Sequence, residues 1–363
     1  MRTFGVEEEL LLVDDETGEV MPRVEEVLRQ DRHPDSGIRL VSELQMEQLE
    51  VISPVHTRLE ELAADIGAGR SLADRLAKRA GVRAAALATP VLPFTPHLSA
   101  VPRVDAMRER FGLVTREQLT GACHVHVGVG SDEEGVAVLD RIRIWLPVLS
   151  ALSANSPFWQ GRDTGYESYR IQSLARWPMA GPAEIYGCAD AYRQRLRAML
   201  DTQVPLDEAM LYLDARLSRN YPTVEIRVTD VCLQPDDTVL IAGLCRALVE
   251  TAAGQWRAGV PPVPVPAAVL KLAGWRASRS GISGELLDPQ SGVPRPAGQV
   301  LEALIEHLSP ALVDTGDGQQ VKELLKQAMN RGTGAQYQRR HLQQTGTLGG
   351  VVSAVLKATH NRP

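Results

Sequence analysis

Three short segments of this chain place pairs of ionisable residues two positions apart. The pairs are Glu7 and Glu9, His124 and His126, and Glu225 and Arg227. In a β-strand, residues i and i+2 point to the same face of the sheet. Each segment therefore predicts a strand with ionisable groups on one face. In the last two segments, valine and isoleucine occupy the other face.

A sheet face that gathers carboxylates, imidazoles and a guanidinium is costly to form unless it binds a ligand. Mg²⁺ prefers oxygen ligands and is usually shared with substrate phosphates, and arginine supplies a forked phosphate clamp. Each pair taken alone is more often a solvated edge, a core histidine or a structural ion pair. Their coincidence in three segments favours a site for metal ions and phosphate.

More carboxylates lie in residues 42–51, at Glu43, Glu47 and Glu50. This segment fits either a helix with an acidic face or a bent hairpin, and its periodicity does not decide between them. Other common sites are absent from the sequence. There is no His-Glu-x-x-His or Cys/His cluster for zinc, no phosphate-binding P-loop motif and no Gly-x-Ser-x-Gly nucleophile motif.

The composition limits the classes of partner. The 363 residues carry a net charge of −6 without a long run of one sign, which argues against nucleic acid and against a polybasic membrane patch. No apolar stretch approaches the length of a membrane span, and the first residues do not resemble a signal peptide. Four widely spaced cysteines indicate reduced thiols, so we expect a cytoplasmic protein.

Strand-like and helix-like segments are interleaved irregularly, which indicates an α+β or mixed α/β fold. We expect helices over residues 57–80, from Ser131 to about Ala154, over 190–200 and from 236 or 237 to 259, and a buried strand over 82–89. Residues 261–266 are a proline-rich connector to a mainly helical part, residues 267–363. We interpret residues 1–363 as a single catalytic domain.

Residues 155–176 lack a clear period and predict a long functional loop. Within it, residues 155–166 are expected at the mouth of the active site. The expected substrate contacts there are Trp159, Arg162, Asp163 and Tyr166. The alternative is a rigid structural loop anchored by Phe158 and Trp159.

Four sequence blocks, at residues 5–9, 122–129, 154–166 and 221–230, resemble the YbdK-type carboxylate–amine ligases. These form the glutamate–cysteine ligase type 2 family of the glutamine synthetase/glutamate–cysteine ligase superfamily. The resemblance covers essentially the whole chain. It implies an α+β fold in which a curved antiparallel β-sheet carries the active site on its concave face and helices on its convex side.

The resemblance also implies the reaction. ATP and Mg²⁺, with Mn²⁺ as the alternative ion, would drive the joining of a carboxylate to an amine through an acyl phosphate, releasing ADP and phosphate. Glutamate and cysteine are the default small-molecule substrates, and a homo-oligomer is compatible with the family. The rival interpretations are a guanidinium phosphotransferase and a non-catalytic nucleotide-binding regulatory paralogue.

Roles for individual residues follow from the same resemblance. Glu7 and Glu9 would ligate different metal ions. One ion would be completed by Glu43 and Glu50, and the other by His124 and Glu225. His126, Arg216 and Arg227 would face the transferring phosphoryl group or the substrate carboxylate. The base that deprotonates the amine has no clear candidate beyond a nearby carboxylate or Asp163.

Overall fold

The computed structural model describes residues 1–31 and 37–360. Eleven strands occur in these ranges: β1 Phe4–Val13, β2 Arg39–Ser42, β3 Gln48–Ile52, β4 Arg83–Ala85, β5 Ala122–Gly128, β6 Phe158–Trp159, β7 Arg162–Asp163, β8 Ala215–Leu217, β9 Thr223–Asp230, β10 Glu285–Leu287 and β11 Pro294–Pro296. Seven of them form one antiparallel sheet in the order β2-β3-β1-β5-β9-β8, with β4 paired to the end of β1. The pairs β6-β7 and β10-β11 are separate two-stranded hairpins.

The helices in the same ranges are α1 Val24–Leu28, α2 Leu59–Arg79, α3 Pro102–Phe111, α4 Leu113–Glu117, α5 Asp132–Ile142, α6 Leu146–Leu152, α7 Tyr169–Leu174, α8 Ala189–Asp201, α9 Pro235–Arg257, α10 Ala267–Ser280, α11 Ala297–Thr315, α12 Gly318–Arg331, α13 Gly334–Thr345 and α14 Leu348–His360. A 3₁₀ turn covers Glu208–Met210. Within the part of the chain described, no helix is long and apolar enough to cross a membrane.

The apolar face of the sheet forms the main core. Val125 and Val127 of β5 and Val224 and Ile226 of β9 are fully buried in one cluster together with residues of α9. Their alternation with the polar positions is the period-2 pattern of a sheet with one covered face. The predicted α+β fold is confirmed, with helices against one face and the ionisable side chains on the other.

A buried ion pair fixes the sheet to the helices behind it. Glu8 points to the face opposite that of Glu7 and Glu9. It is only 2% exposed, and Arg70 of α2 is only 1% exposed. Arg70 donates two hydrogen bonds to the Glu8 carboxylate, at 2.6 and 3.0 Å, and two more to the carbonyls of Cys232 and Leu233. Thr238 of α9 donates to the same carboxylate at 2.6 Å. One glutamate thus ties β1 to α2 and α9.

Several helices and strands of the structure differ in extent from those that the sequence predicts. The strand predicted over 82–89 pairs only at Arg83–Ala85, although the residues after it remain buried. The helix predicted from Ser131 to Ala154 is two helices, because Pro147 cannot donate a hydrogen bond in a helix interior and stands at the start of α6. Residues 42–51 adopt the hairpin alternative, between β2 and β3. The helix predicted over 57–80 is confirmed as α2.

The C-terminal helices pack onto the same core. Residues 258–266 link α9 to α10 without regular structure. Both α11 and α12 pack against α9. Val351 and Val355 of α14 join the buried cluster around Leu11 and Val13 of β1. Apolar packing therefore ties this part of the chain to the central strand.

The Glu8–Arg70 pair yields a stability prediction. Arg70→Met should lower the free energy of unfolding by about 3–5 kcal/mol, because it leaves a buried carboxylate without its partner. Urea unfolding measures the change. Arg75→Met, at an exposed position on the same helix, is the matched control and should change stability by less than about 0.5 kcal/mol. Equal effects of the two substitutions would contradict the structural role of the pair.

Candidate active site

The register of the central strands brings the predicted site residues together. Glu7 of β1 pairs directly with His124 of β5, and Glu9 pairs with Glu50 of β3. His126 of β5 pairs with Glu225 of β9. Residues directly opposite each other on antiparallel strands project to the same face. The three polar pairs therefore form one continuous patch across β3, β1, β5 and β9.

A β-bulge interrupts the pairing of β5 with β9 beside this patch. Between the pairs Cys123–Thr229 and Val125–Ile226, β5 contributes one residue and β9 contributes two, Arg227 and Val228. The side-chain alternation of β9 therefore changes at this point. Thr229, two residues after Arg227, is buried and donates to the Cys123 carbonyl instead of facing the site.

The patch contains two groups of metal-ligating atoms that share His124. Glu7, His124 and Glu225 form one group, and Glu9, Glu50 and His124 form the other. Within each group, one ligand atom from each residue lies within 4.8 Å of the others. Glu7 and Glu9 fall in different groups, and their binding of different ions stays a prediction. Glu43 is in neither group but lines the same cavity.

Two of the carboxylates are held ionised by their neighbours. Burial raises the pKa of Glu7, but contacts of 3.4 Å with His124 and 3.3 Å with His126 bring that pKa well below its ordinary value. Burial also raises the pKa of Glu225, but Arg227 and Arg216 lower it to about 2. Burial and the positive charge of Arg227 lower the pKa of His124, which favours the neutral imidazole that binds metals.

Glu43 and Glu50 are compensated only in part, by the charge of Arg227. Burial, and then the charges of Glu9 and Glu7, raise the pKa of Glu43 to about 7. Burial, and then the charges of Glu43, Glu7 and Glu9, raise the pKa of Glu50 to about 10. Carboxylates that crowd one another in this way are the hard oxygen donors that Mg²⁺ accepts. The donor set therefore fits divalent cations.

Permanently charged donors border the ligand groups. Arg216 of β8 donates to both oxygens of Glu225, at 2.8 and 3.3 Å, and Arg227 contacts the same carboxylate. His126 shares a hydrogen bond of 2.9 Å between its Nδ1 and the Thr223 hydroxyl. Its buried Nε2 has no well-aligned partner within the described part of the chain, although Glu7 lies 3.3 Å away. This nitrogen and the two guanidinium groups are available to an anionic ligand.

These side chains line a cavity of about 610 Å³, a size typical of small-molecule sites. It contains all the predicted metal ligands, together with His126, Arg216 and Arg227. A smaller pocket of about 130 Å³ adjoins it, and Glu9, Glu43, His124 and Arg227 border both spaces. One space thus has room for a bulky ligand and the other for a small one.

The four predicted substrate contacts of residues 155–166 lie outside the large cavity, contrary to their expected position at its mouth. Trp159 packs on Phe94 with ring centroids 4.9 Å apart, and Asp163 forms an ion pair with Arg339 at 2.8 Å. Arg162 is exposed. Substrate contact by these residues stays a prediction without geometric support.

Residues 155–166 lie outside the large cavity because buried contacts anchor them elsewhere. The buried Asn155 amide donates to the carbonyls of Ala86 and Val231, both at 2.9 Å. Phe158 enters the core, and the hydroxyl group of Tyr166 lies 3.3 Å from the indole nitrogen of Trp275. The structure thus matches the alternative of a rigid structural loop.

The cavities also include residues that the sequence patterns do not identify. Arg103, Glu208 and Tyr212 line the large cavity, and Arg170 and Asp214 line the small pocket. Arg170 lies in α7, within the segment 155–176 that the sequence predicts as a functional loop. The predicted loop therefore includes a residue of the small pocket, although no motif identifies Arg170 itself. Asp214 precedes the short strand β8, and its alternation with Arg216 is the same i, i+2 signal as in the three starting pairs.

The chain is similar to known proteins over almost its whole length. A family model for "Glutamate-cysteine ligase family 2 (GCS2)" matches residues 3–357. A Streptomyces avermitilis protein provisionally named glutamate–cysteine ligase 2-1 is 50% identical over 366 residues, covering 99% of both chains. A Paenarthrobacter aurescens protein with the same provisional name is 48% identical over 367 residues, covering 99% of this chain and 96% of the relative.

Solved structures share the fold at low sequence identity. A glutamate–cysteine ligase from Francisella tularensis in complex with AMP superposes with a TM-score of 0.72 at 12% identity, covering 99% of this chain and 89% of that one. A bifunctional glutathione synthetase from Pasteurella multocida gives a TM-score of 0.70 at 14% identity, covering 98% and 52%. The antiparallel sheet with its covering helices is therefore a known ligase fold.

The crowding of carboxylates predicts a change in metal-free stability. Because the pKa of Glu50 is raised from 4.5 to about 10, the folded protein holds a proton that the unfolded chain loses, and stability falls as the pH rises between these values. Glu50→Gln should therefore raise the metal-free melting temperature at pH 8, by about 2–4 °C for each kcal/mol gained. The same variant should lose most of the stabilisation that MgATP gives the wild type.

Scanning calorimetry with and without MgATP measures both effects. Glu302→Gln is the control, since Glu302 is an exposed glutamate on α11 and should behave like the wild type. A Glu50→Gln protein with a lower metal-free melting temperature and an unchanged MgATP response would exclude Glu50 from the cation site.

Proposed function

The chain belongs to glutamate–cysteine ligase family 2, and we propose that this ATP-dependent carboxylate–amine ligase joins glutamate to cysteine with the help of Mg²⁺. The observation that carries the proposal is the pair of ligand groups that share His124 beside Arg227. The 610 Å³ cavity has room for a nucleotide, and the adjoining pocket suits a small acid. A cytoplasmic location and a homo-oligomer stay predictions.

The chain would hold metal ions through residues already described. Glu7, His124 and Glu225 would bind one Mg²⁺, and Glu9, Glu50 and His124 would bind another. Bound Mg²⁺ would supply charge neutralisation for the ATP phosphates. This neutralisation matters because six glutamates line the cavity and would otherwise repel a polyphosphate.

The first step transfers the γ-phosphoryl group to the substrate carboxylate. A carboxylate oxygen forms a bond to the γ-phosphorus, and the bond to the ADP oxygen breaks. Phosphoryl transfer needs positioning and charge stabilisation more than proton transfer. The half-buried fork of Arg227 and the Nε2 nitrogen of His126 would donate to the phosphoryl oxygens, and Arg216 adds a second guanidinium at the border of the cavity.

The second step forms the amide. The amine nitrogen attacks the carbonyl carbon of the acyl phosphate, and the bond from that carbon to the phosphate oxygen breaks, releasing phosphate. The ammonium group must first lose a proton. Asp163, a sequence-based candidate for the base, is paired with Arg339 outside the cavity, so it has no geometric support.

Substitution of the ligands tests the metal sites. Glu9→Gln and Glu225→Gln should each lower kcat by about 10²–10³-fold, because each removes one negatively charged donor from a different group. Glutamine at position 9 can still accept the 2.7 Å hydrogen bond from the Ala122 amide, so the fold should persist. Steady-state phosphate release and thermal melting measure activity and folding separately.

The exposed Glu302→Gln variant again serves as the control and should turn over like the wild type. Near-normal kcat in the Glu9 or the Glu225 variant would remove that residue from the site.

Product analysis tests the acyl-phosphate route. The enzyme should release ADP and phosphate in step with amide formation, and hydroxylamine in place of the amine should trap a hydroxamate. Arg227→Lys should form little hydroxamate, since lysine lacks the fork that holds two phosphoryl oxygens. Nucleotide chromatography and product mass spectrometry provide the measurement.

Each rival gives a different result. AMP and pyrophosphate as stoichiometric products would indicate an acyl-adenylate and overturn the route. A phosphorylated guanidinium compound without amide would indicate the phosphotransferase alternative. Nucleotide binding without turnover, across a screen of acids and amines, would indicate the regulatory alternative.

A further inference from the structure

The small pocket beside the metal-ligand groups has one carboxylate with no assigned role. Glu9, His124 and Arg227 border both this pocket and the large cavity. Arg170 and Asp214 lie on its wall and do not line that cavity. A ligand in the pocket would therefore lie beside both Asp214 and the groups that border the large cavity.

Asp214 lies beside the site, next to Arg227 in the sheet. Its carbonyl accepts a hydrogen bond of 2.9 Å from the Arg227 amide, and Arg216, two residues later, pairs with Glu225. Asp214 directly precedes β8, and it lines the small pocket as well as two spaces that border α6. Asp214 and Arg227 are cross-strand neighbours of opposite charge, yet the Arg227 guanidinium contacts Glu225.

The Asp214 carboxylate thus has no hydrogen-bond donor or ion-pair partner within residues 1–31 and 37–360. The one cation whose charge acts on it is Arg170. That guanidinium donates to the carbonyls of Val228 and Arg227, at 3.2 and 3.1 Å, and lies 3.8 Å from Asp230. Burial raises the pKa of Asp214 to about 7, and Arg170 offsets this rise only in part.

Asp214 is half-buried, and its carboxylate is not engaged by the described residues, so its oxygens can accept hydrogen bonds from a ligand in the pocket. The ligand must be small, because the pocket measures about 130 Å³. It must also carry a cation, since a neutral molecule would leave the charge of Asp214 uncompensated. An ammonium group offers three donors and a positive charge.

We propose that Asp214 binds the ammonium group of the acid substrate and so selects an α-amino dicarboxylic acid over the same acid without its amino group. This inference rests on the proposed function. The distal carboxylate of the substrate would lie at Arg227 and the ligand groups, and the amino group at Asp214. Asp214 positions the substrate and takes no part in the transfer of atoms.

Glutamate and glutarate differ only in the amino group and provide the test. Hydroxamate formation from each acid is measured with MgATP and hydroxylamine, in the wild type and in Asp214→Asn. The wild type should favour glutamate. The variant should raise KM for glutamate roughly ten- to hundredfold, the range for a hydrogen bond to a charged group, with a smaller effect on kcat. Its kcat/KM for glutarate should match that of the wild type.

Asp201→Asn is the matched control, because Asp201 is exposed at the end of α8 and should leave both acids unaffected. An equal loss for glutamate and glutarate would overturn the proposal, as would an unchanged KM for glutamate or a wild type that does not distinguish the two acids. A raised KM for the amine instead of the acid would also overturn it.

A binding measurement separates this inference from the proposed function. Isothermal titration of glutamate and glutarate into the protein with Mg²⁺ and a non-hydrolysable ATP analogue needs no turnover. Tighter binding of glutamate that is lost in Asp214→Asn supports the role of Asp214 even if no ligase activity is found. Equal binding of the two acids, or binding of neither, overturns it even if the enzyme proves to be a ligase of other substrates.

Discussion

Strand β1 carries glutamates on both faces, and the structure depends on how each face compensates their charge. On the covered face, Glu8 is fully satisfied by Arg70 and Thr238, so its burial fixes two helices to the strand. On the open face, Glu7 and Glu9 meet imidazoles and more carboxylates, and the protein supplies too little positive charge. The covered face therefore stabilises the fold. The open face keeps an excess of negative charge that bound cations can neutralise.

The cationic side chains at the site are distributed unevenly, and this uneven distribution organises its chemistry. Arg216 and Arg227 both reach Glu225, which leaves Glu43 and Glu50 to crowd one another. The bulge in β9 places Arg227 beside the shared ligand His124 and ends the regular alternation there. The carboxylates proposed to bind metal ions and the guanidinium groups proposed to bind phosphate thereby lie side by side, as the proposed phosphoryl transfer requires.

The composition of residues 155–166 does not distinguish a functional loop from a structural one. Residues 155–166 carry glycine, tryptophan, tyrosine and charged side chains, a composition shared by functional loops and by tightly anchored structural loops. The buried amide of Asn155 and the Phe158 ring anchor the segment, and its substrate contacts stay a prediction. Both anchors depend on partners far away in the sequence, such as the carbonyls of Ala86 and Val231, so no local pattern reveals them.

The sequence by itself determined the local features: the strands around Glu7, His124 and Glu225, the face that each side chain takes, and the family resemblance. These follow from a two-residue period, which is local. Only the tertiary structure decided which strands are neighbours, so that Glu9 meets Glu50, and where the bulge lies. It also decided that Asp214 has no hydrogen-bond or ion-pair partner among residues 1–31 and 37–360, because cross-strand register and burial arise from contacts between distant segments.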